Sequence, residues 1–150
     1  WGAFDICGTD HPLRLGSPGV YGDRYANYAI QNADLLISIG SRLDSRQIGG
    51  NASLFSKHSK KIMVDIDDHE ITKMGEKGIN IDFRINENVK DFLQNVITGQ
   101  IPNIEQWLTN LKLWKGKYSV EKAREGDSAV YDYLGDLFDK IEEECLVIRE

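Results

Sequence analysis

Hydrophobic positions recur along this chain with three different periods. The stretch 33–41 holds a near-continuous apolar run, Leu35, Leu36, Ile37 and Ile39, ended by Gly40. It predicts a parallel strand buried on both faces. KKIMVDID, 60–67, predicts a second, with Ile62, Met63, Val64 and Ile66 inside and Asp65 and Asp67 at its C-terminal end. INIDFRI, 79–85, alternates Ile79, Ile81, Phe83 and Ile85 with Asn80, Asp82 and Arg84, which predicts a half-exposed strand at a sheet edge. Helical spacings fill the gaps. RYANYAIQNA, behind Asp23 as N-cap, carries a stripe of Tyr25, Tyr28, Ala29 and Ala33. Residues 49–59 predict a turn and a short helix with Leu54 and Phe55 inward, the crossover two parallel strands need. HEITKMG is a short helix ended by Gly75, and ENVKDFLQNVITG a helix with Val89, Phe92, Leu93, Val96 and Ile97 on one face, closed by Gly99.

Pro102 marks a change of pattern. From Asn103 a long amphipathic helix carries Ile104, Trp107, Leu108, Leu111, Trp114 and Tyr118, which either packs on its own domain or offers a partner surface. After the loop 124–128, with Asp127 as cap, a further helix carries Val130, Leu134, Leu137, Phe138 and Ile141; Cys145–Ile148 resembles the first strand of a following domain. Residues 1–15 read as a loop. The fold class is therefore α/β: a partial doubly wound (Rossmann-like) parallel sheet with flanking helices, followed by a helical linker.

Composition narrows the function. Among 150 residues, 41% are hydrophobic and 28% charged, enough for one domain with a core. A net charge of −6 without a basic cluster argues against nucleic acid and against an anionic membrane surface. Cys7 and Cys145 lie far apart, so reduced thiols in a cytoplasmic protein are expected, and His11, His58 and His69 are scattered, so no metal site is. No apolar run approaches the roughly 20 residues of a membrane span. The chain starts with Trp1 and stops just after an apolar run, which suggests a piece of a longer polypeptide.

Candidate chemistry collects between Gly16 and Asp67. The loop Gly16-Ser17-Pro18-Gly19-Val20-Tyr21-Gly22 leads into a helix N-terminus, where backbone N–H groups suit a phosphate. It reads equally as a tight connection with no ligand, and the Asp23 carboxylate competes for the same N–H groups. Arg42, Asp44 and Arg46 follow Gly40-Ser41 at the carboxyl end of the first strand, where open α/β sheets bind ligands. An arginine fork suits phosphate or a flat ring; alternatively Arg42 pairs with Asp44, or both arginines face solvent. Asp67 with Glu70 forms a D-x-x-E capping pattern, and Asp65 is open to a ribose or to a structural role.

The ordered combination of N-x-A-x-Q-N-A-D-L-L, G-S-R-L-D-x-R and V-D-I-D-x-x-E-I resembles the central domain of thiamine diphosphate-dependent enzymes of the acetolactate synthase type, over roughly residues 4 to 95. The resemblance implies that 1–99 is the C-terminal part of that central domain, 100–127 a helical linker and 128–150 the start of a diphosphate-binding domain. It implies FAD or another nucleotide on Val20, Tyr21, Gly40, Ser41, Arg42, Asp44, Arg46, Asp65, Ile66 and Glu70. The sequence departs from flavin-binding members at Tyr21 for histidine, Ser45 for the second aspartate of F-D-D-R, and Glu87-Asn88 for a Gly-Asp pair. Thiamine diphosphate and Mg²⁺ would sit in flanking domains of the same longer chain, with a 2-oxo acid such as pyruvate as substrate, so no residue here is assigned as catalytic. The first strand is suited to the middle of a sheet yet lacks the neighbour that the family places beside it, so a homo-oligomer is expected, or coverage of that edge by the chain's own C-terminal segment, with helix 103–118 as the additional contact. Two rival readings are a purely structural module that binds no nucleotide, and an unrelated flavin or nicotinamide domain.

Overall fold

The computed structural model describes residues 6–8, 10–96, 99, 103–119, 129–138 and 140. Helix α1 (Arg24–Asn32) leads to strand β1 (Leu35–Ile39), helix α2 (Ser45–Ile48), a 3₁₀ turn (Ala52–Leu54), strand β2 (Lys60–Asp65), helix α3 (Asp68–Glu76), strand β3 (Phe83–Asn86) and helix α4 (Val89–Asn95). Helices α5 (Glu105–Lys117) and α6 (Ala129–Phe138) follow. The three strands form a parallel sheet in the order β1-β2-β3. The α/β reading, the parallel pairing and the edge position of the third strand all hold.

The two faces of the sheet differ. One carries Leu36 and Met63 and is covered by a core of Leu43, Ile48, Phe55, Met63, Ile71, Met74, Ile79 and Ile81, with Ile30 of α1 packed against it. The register Ile37↔Ile62↔Phe83 puts Leu35, Ile37 and Ile39 on the opposite face with Val64 and Phe83. There Val64 is fully buried where α4 meets β2, but Leu35, Ile37 and Phe83 are 48%, 47% and 60% exposed. Burial of β1 on both faces is thus corrected. Among the described residues nothing covers the far half of this face, and β1 pairs only with β2.

Four local expectations shift as well. Leu54 points out and only Phe55 is buried. Helix α3 runs past Gly75 and stops before Gly78, whose φ of +81° takes the left-handed conformation that Gly tolerates best. The strand expected over 79–85 is confined to 83–86: Ile79 and Ile81 turn into the core from the preceding loop, so the alternation does not mark one face. Helix α4 buries no residue fully, and Leu93 and Val96 remain exposed. Ile97, Ile141 and the apolar run 145–148 lie outside the described residues.

Helix α5 packs on its own domain. Trp114 meets Tyr28 of α1 at a tilt and Tyr118 meets it edge-to-face, with ring centroids 6.1 and 5.2 Å apart, and Trp107 meets Trp114 edge-on at 5.8 Å. The crossover between β1 and β2 is pinned to α1 by Ser56, which is fully buried and has a φ of +44°. Its Oγ donates to the Ile30 carbonyl at 2.6 Å and lies 2.8 Å from Ser59 Oγ, while its N–H donates to Gln31 Oε1. Lys61, buried beneath the sheet, donates from Nζ to the Ser59 carbonyl, and burial lowers its pKa.

Candidate functional site

The glycine loop closes on itself. Ser17 N–H donates to Asp23 Oδ2 at 2.8 Å, Gly22 N–H to the Gly19 carbonyl at 3.0 Å, and Asp23 N–H to the Ser17 carbonyl at 2.7 Å. Asn27, one turn into α1, holds Gly19 from both sides: Oδ1 accepts its N–H at 2.7 Å and Nδ2 donates to its carbonyl at 2.8 Å. Val20 N–H donates to the Arg46 carbonyl at 2.7 Å. The N–H groups of Ser17, Gly19, Val20 and Gly22 therefore all have protein partners, which leaves them unavailable to a phosphate. Asp23 does begin α1, but its side chain serves Ser17 and makes no cap bond to the helix.

The loop after β1 is equally specific. Gly40, at φ +59°, donates its N–H to the Val64 carbonyl, and Ser41 Oγ lies 3.2 Å from Gln47 Oε1. Leu43 is buried although its φ is +45°, a conformation that costs a non-glycine residue roughly 1–3 kcal/mol. That bend sends its two neighbours apart. Asp44 caps α2 by accepting the N–H groups of Arg46 and Gln47 at 2.9 and 3.1 Å. Arg42 neither pairs with Asp44 nor stands free: its Nη2 is 3.0 Å from Glu70 Oε1 at the start of α3.

At the end of β2, Asp65 is buried and its Oδ1 accepts the Asp67 N–H at 3.0 Å, an Asx turn. Asp67 caps α3 through the His69 N–H, as the pattern predicts. Glu70 does not complete a capping box but lies between two cations, with Lys73 Nζ 3.0 Å from Oε2. Hydrogen bonds from Lys73 and Arg42 hold its carboxyl below the ordinary carboxylate value, and Glu70 raises the Arg42 guanidinium in return. Asn86 Nδ2 donates to the Asp65 and Ile66 carbonyls and fixes the strand end.

The ten positions lie on the glycine loop and on the segments that follow β1 and β2, joined by the Val20–Arg46 and Arg42–Glu70 contacts. Gly40 and Ser41 are engaged by Val64 and Gln47, and the other eight fall into two groups. Arg42, Asp44, Asp65 and Glu70 have their polar groups committed to the fold. Val20, Tyr21 and Ile66 are exposed at 59%, 83% and 69%, and the Arg46 guanidinium has no partner among the described residues. A cavity of about 190 Å³ lies at the glycine loop, lined by Val20, Asn27, Gln31, Gln47, Ile48 and Phe55. Asn27, Gln31 and Leu43 stand at fixed positions of the motifs that carry the resemblance, but no role was read for them from sequence. Among the described residues no group of three or more His, Cys, Asp or Glu side chains is placed to hold a metal ion. No helix there is long and apolar enough to cross a membrane.

Comparison with known proteins agrees with this geometry. Residues 2–96 match the family described as thiamine pyrophosphate enzyme, central domain. The chain is 37% identical over 102 residues to the probable acetolactate synthase large subunit of Methanocaldococcus jannaschii, covering 68% of this chain and 17% of that protein. It is 30% identical over 128 residues to the acetolactate synthase isozyme 2 large subunit of Escherichia coli, covering 85% and 20% respectively. Against the isozyme 1 large subunit of the same organism, identity is 42% over 87 residues, 58% of this chain and 15% of that protein. The chain spans about a fifth of the length of the curated relatives it matches. None of this supports an unrelated flavin or nicotinamide domain.

Proposed function

This chain belongs to the thiamine pyrophosphate enzyme central-domain family, and on that premise we propose that it is the central module of an enzyme resembling acetolactate synthase. That enzyme acts on a 2-oxo acid such as pyruvate, making or breaking the carbon–carbon bond beside the carbonyl, as a transferase or a lyase in the cytoplasm. In this reading 1–99 is the central domain, 100–127 a linker and 128–150 the start of the diphosphate-binding domain. Thiamine diphosphate, when bound, supplies the electron sink for that chemistry. The residues of this chain position neighbouring domains and a nucleotide rather than the reacting carbon.

The observation that carries the nucleotide part is the second group at the sheet end. Val20 and Tyr21 are exposed apolar side chains on the loop bonded to the Arg46 backbone, Ile66 is another at the end of β2, and with the Arg46 cation they suit a flat ring joined to an anionic group, as in FAD. The contacts would be through these side chains, because the loop N–H groups are already occupied. The same occupied groups favour a second reading, in which the domain is purely structural and binds no nucleotide. The open β1 edge and the exposed Leu35 and Ile37 favour a homo-oligomer or coverage by flanking domains.

Three measurements test these statements. With thiamine diphosphate, Mg²⁺ and pyruvate the 150-residue chain is expected to give no acetolactate above a heat-inactivated control; turnover would overturn the non-catalytic assignment. Nucleotide released by denaturing the full-length polypeptide, and reduced in an Arg46→Ala variant, supports the bound reading. Its absence from the full-length protein leaves the structural one. Sedimentation at micromolar concentration is expected to show a dimer or larger species, and a monomer would remove the homo-oligomer.

A further inference from the structure

We propose that the cleft between α5 and the 12–15 loop is a binding site for a small monocarboxylate with an apolar tail. It encloses about 140 Å³ and is walled by Leu13, Leu15, Leu108 and Leu111, with Lys112 and Lys115 at its edge. Leu108, Leu111, Lys112 and Lys115 are spaced i, i+3, i+4 and i+7, so one face of α5 supplies both the apolar wall and the cations. That face is held in place, since the adjacent aromatic side of α5 is docked on Tyr28.

Size and charge both restrict the occupant. An apolar cavity of about 150 Å³ is large enough to take a benzene molecule, so this one accepts a branched aliphatic or single-ring tail and nothing larger. Apolar walls alone would favour a neutral hydrocarbon. The lysines change that preference: Lys115 leans to the Arg14 carbonyl at 3.4 Å, while the Lys112 ammonium has no partner among the described residues. A carboxylate at the mouth would meet a cation while its tail leaves water, which a neutral amide of the same shape cannot match. Site and occupant are independent of the nucleotide reading, because none of these residues belongs to the sheet end.

The test compares 4-methylpentanoate with 4-methylpentanamide, followed through the backbone amide resonances of Leu13 and Leu111 in the ¹⁵N-labelled chain. Saturable shifts at an affinity on the order of millimolar are expected for the acid, consistent with fewer than ten heavy atoms. The amide should bind about fivefold more weakly. Lys112→Met, an exposed change, should remove the difference between the two, and Leu108→Trp should fill the cleft and abolish both, with circular dichroism confirming that each variant is folded. Equal binding of acid and amide, no saturation, or full binding by folded Leu108→Trp would each overturn the proposal.

Discussion

Arg42 and Glu70, 28 residues apart in sequence, meet with Nη2 3.0 Å from Oε1 and tie the end of β1 to the start of α3. Lys73 approaches the other carboxylate oxygen, so Glu70 is the shared anion of two cations.

This arrangement gives the fold an acid-sensitive joint. Glu70 titrates below its ordinary value of 4.5 because both partners bond its charged form. A depressed carboxylate stabilises the native state above its unfolded pKa and loses that contribution as pH falls through the folded one. Urea denaturation is therefore expected to give a stability that holds from about pH 7 to 5 and declines below about 4.5. Asp82, depressed by the Lys61 N–H and by Lys60, adds to the decline. Glu70→Gln should be less stable at neutral pH and show a shallower acid decline; an unchanged decline would remove Glu70 from the account.

The glycine loop predicts a sharp positional contrast. A Cβ on Gly19, whose φ is +127°, would lie 2.5 Å from the Arg46 carbonyl oxygen, and one on Gly22 would lie 2.2 Å from the Ser17 carbonyl oxygen. Both partners are backbone and cannot swing away. Gly19→Ala and Gly22→Ala should each cost at least about 1 kcal/mol in chemical denaturation. Gly50→Ala meets nothing within 4 Å and should stay within about 0.5 kcal/mol of the parent.

Ser56 should matter more than its size suggests. Ser56→Ala removes the hydroxyl that serves the Ile30 carbonyl and Ser59 Oγ inside a fully buried site. The expected loss is about 1–3 kcal/mol, read from the denaturation midpoint. A change under about 0.5 kcal/mol would show that the crossover is held by packing alone.

The two faces of the sheet predict unequal costs for the same substitution. Ile71→Ala, in a position with no exposed surface, should lose about 2–5 kcal/mol. Ile37→Ala, nearly half exposed in this chain, should lose less than about 1 kcal/mol. Equal losses would mean that something covers the Ile37 face in solution, which sedimentation would then identify as a second copy or exclude.

Elements with a strong period or a local stop signal were readable in the sequence: α1 behind Asp23, the Asp67 cap, the shift to helix at Asn103, and Met63 and Val64 inside β2, whereas Ile66, expected inside, lies past the strand end and is 69% exposed. What escaped depends on contacts distant in sequence. LLISI sets three apolar residues on the exposed side and Leu36 with Ser38 on the covered one, so the pattern does not say which side is covered; the answer depends on which helices reach it. Arg42 and Glu70 were both singled out, but nothing in their spacing pairs them. The positive φ at Leu43 is invisible because leucine seldom adopts it, and it is imposed by the buried position of its side chain. At the candidate site, the gathering of residues beyond the strand ends follows from α/β topology. The commitment of Asp44 to the α2 cap does not, since its two acceptor bonds exist only once 45–48 coil.

The strand order β1-β2-β3 has a kinetic consequence. Among the described residues each strand lies beside the one that precedes it in sequence, so none of these pairings waits for a distant segment to arrive. Parallel sheets are slow to form when their strands are threaded out of order, and this one is spared that delay. Assembly can advance in the direction of synthesis, with α1, β1 and β2 closing around Ser56 before β3 and α4 emerge. A late variant such as Ile85→Ala should then speed unfolding and leave the refolding rate almost unchanged, whereas Ser56→Ala should slow refolding itself.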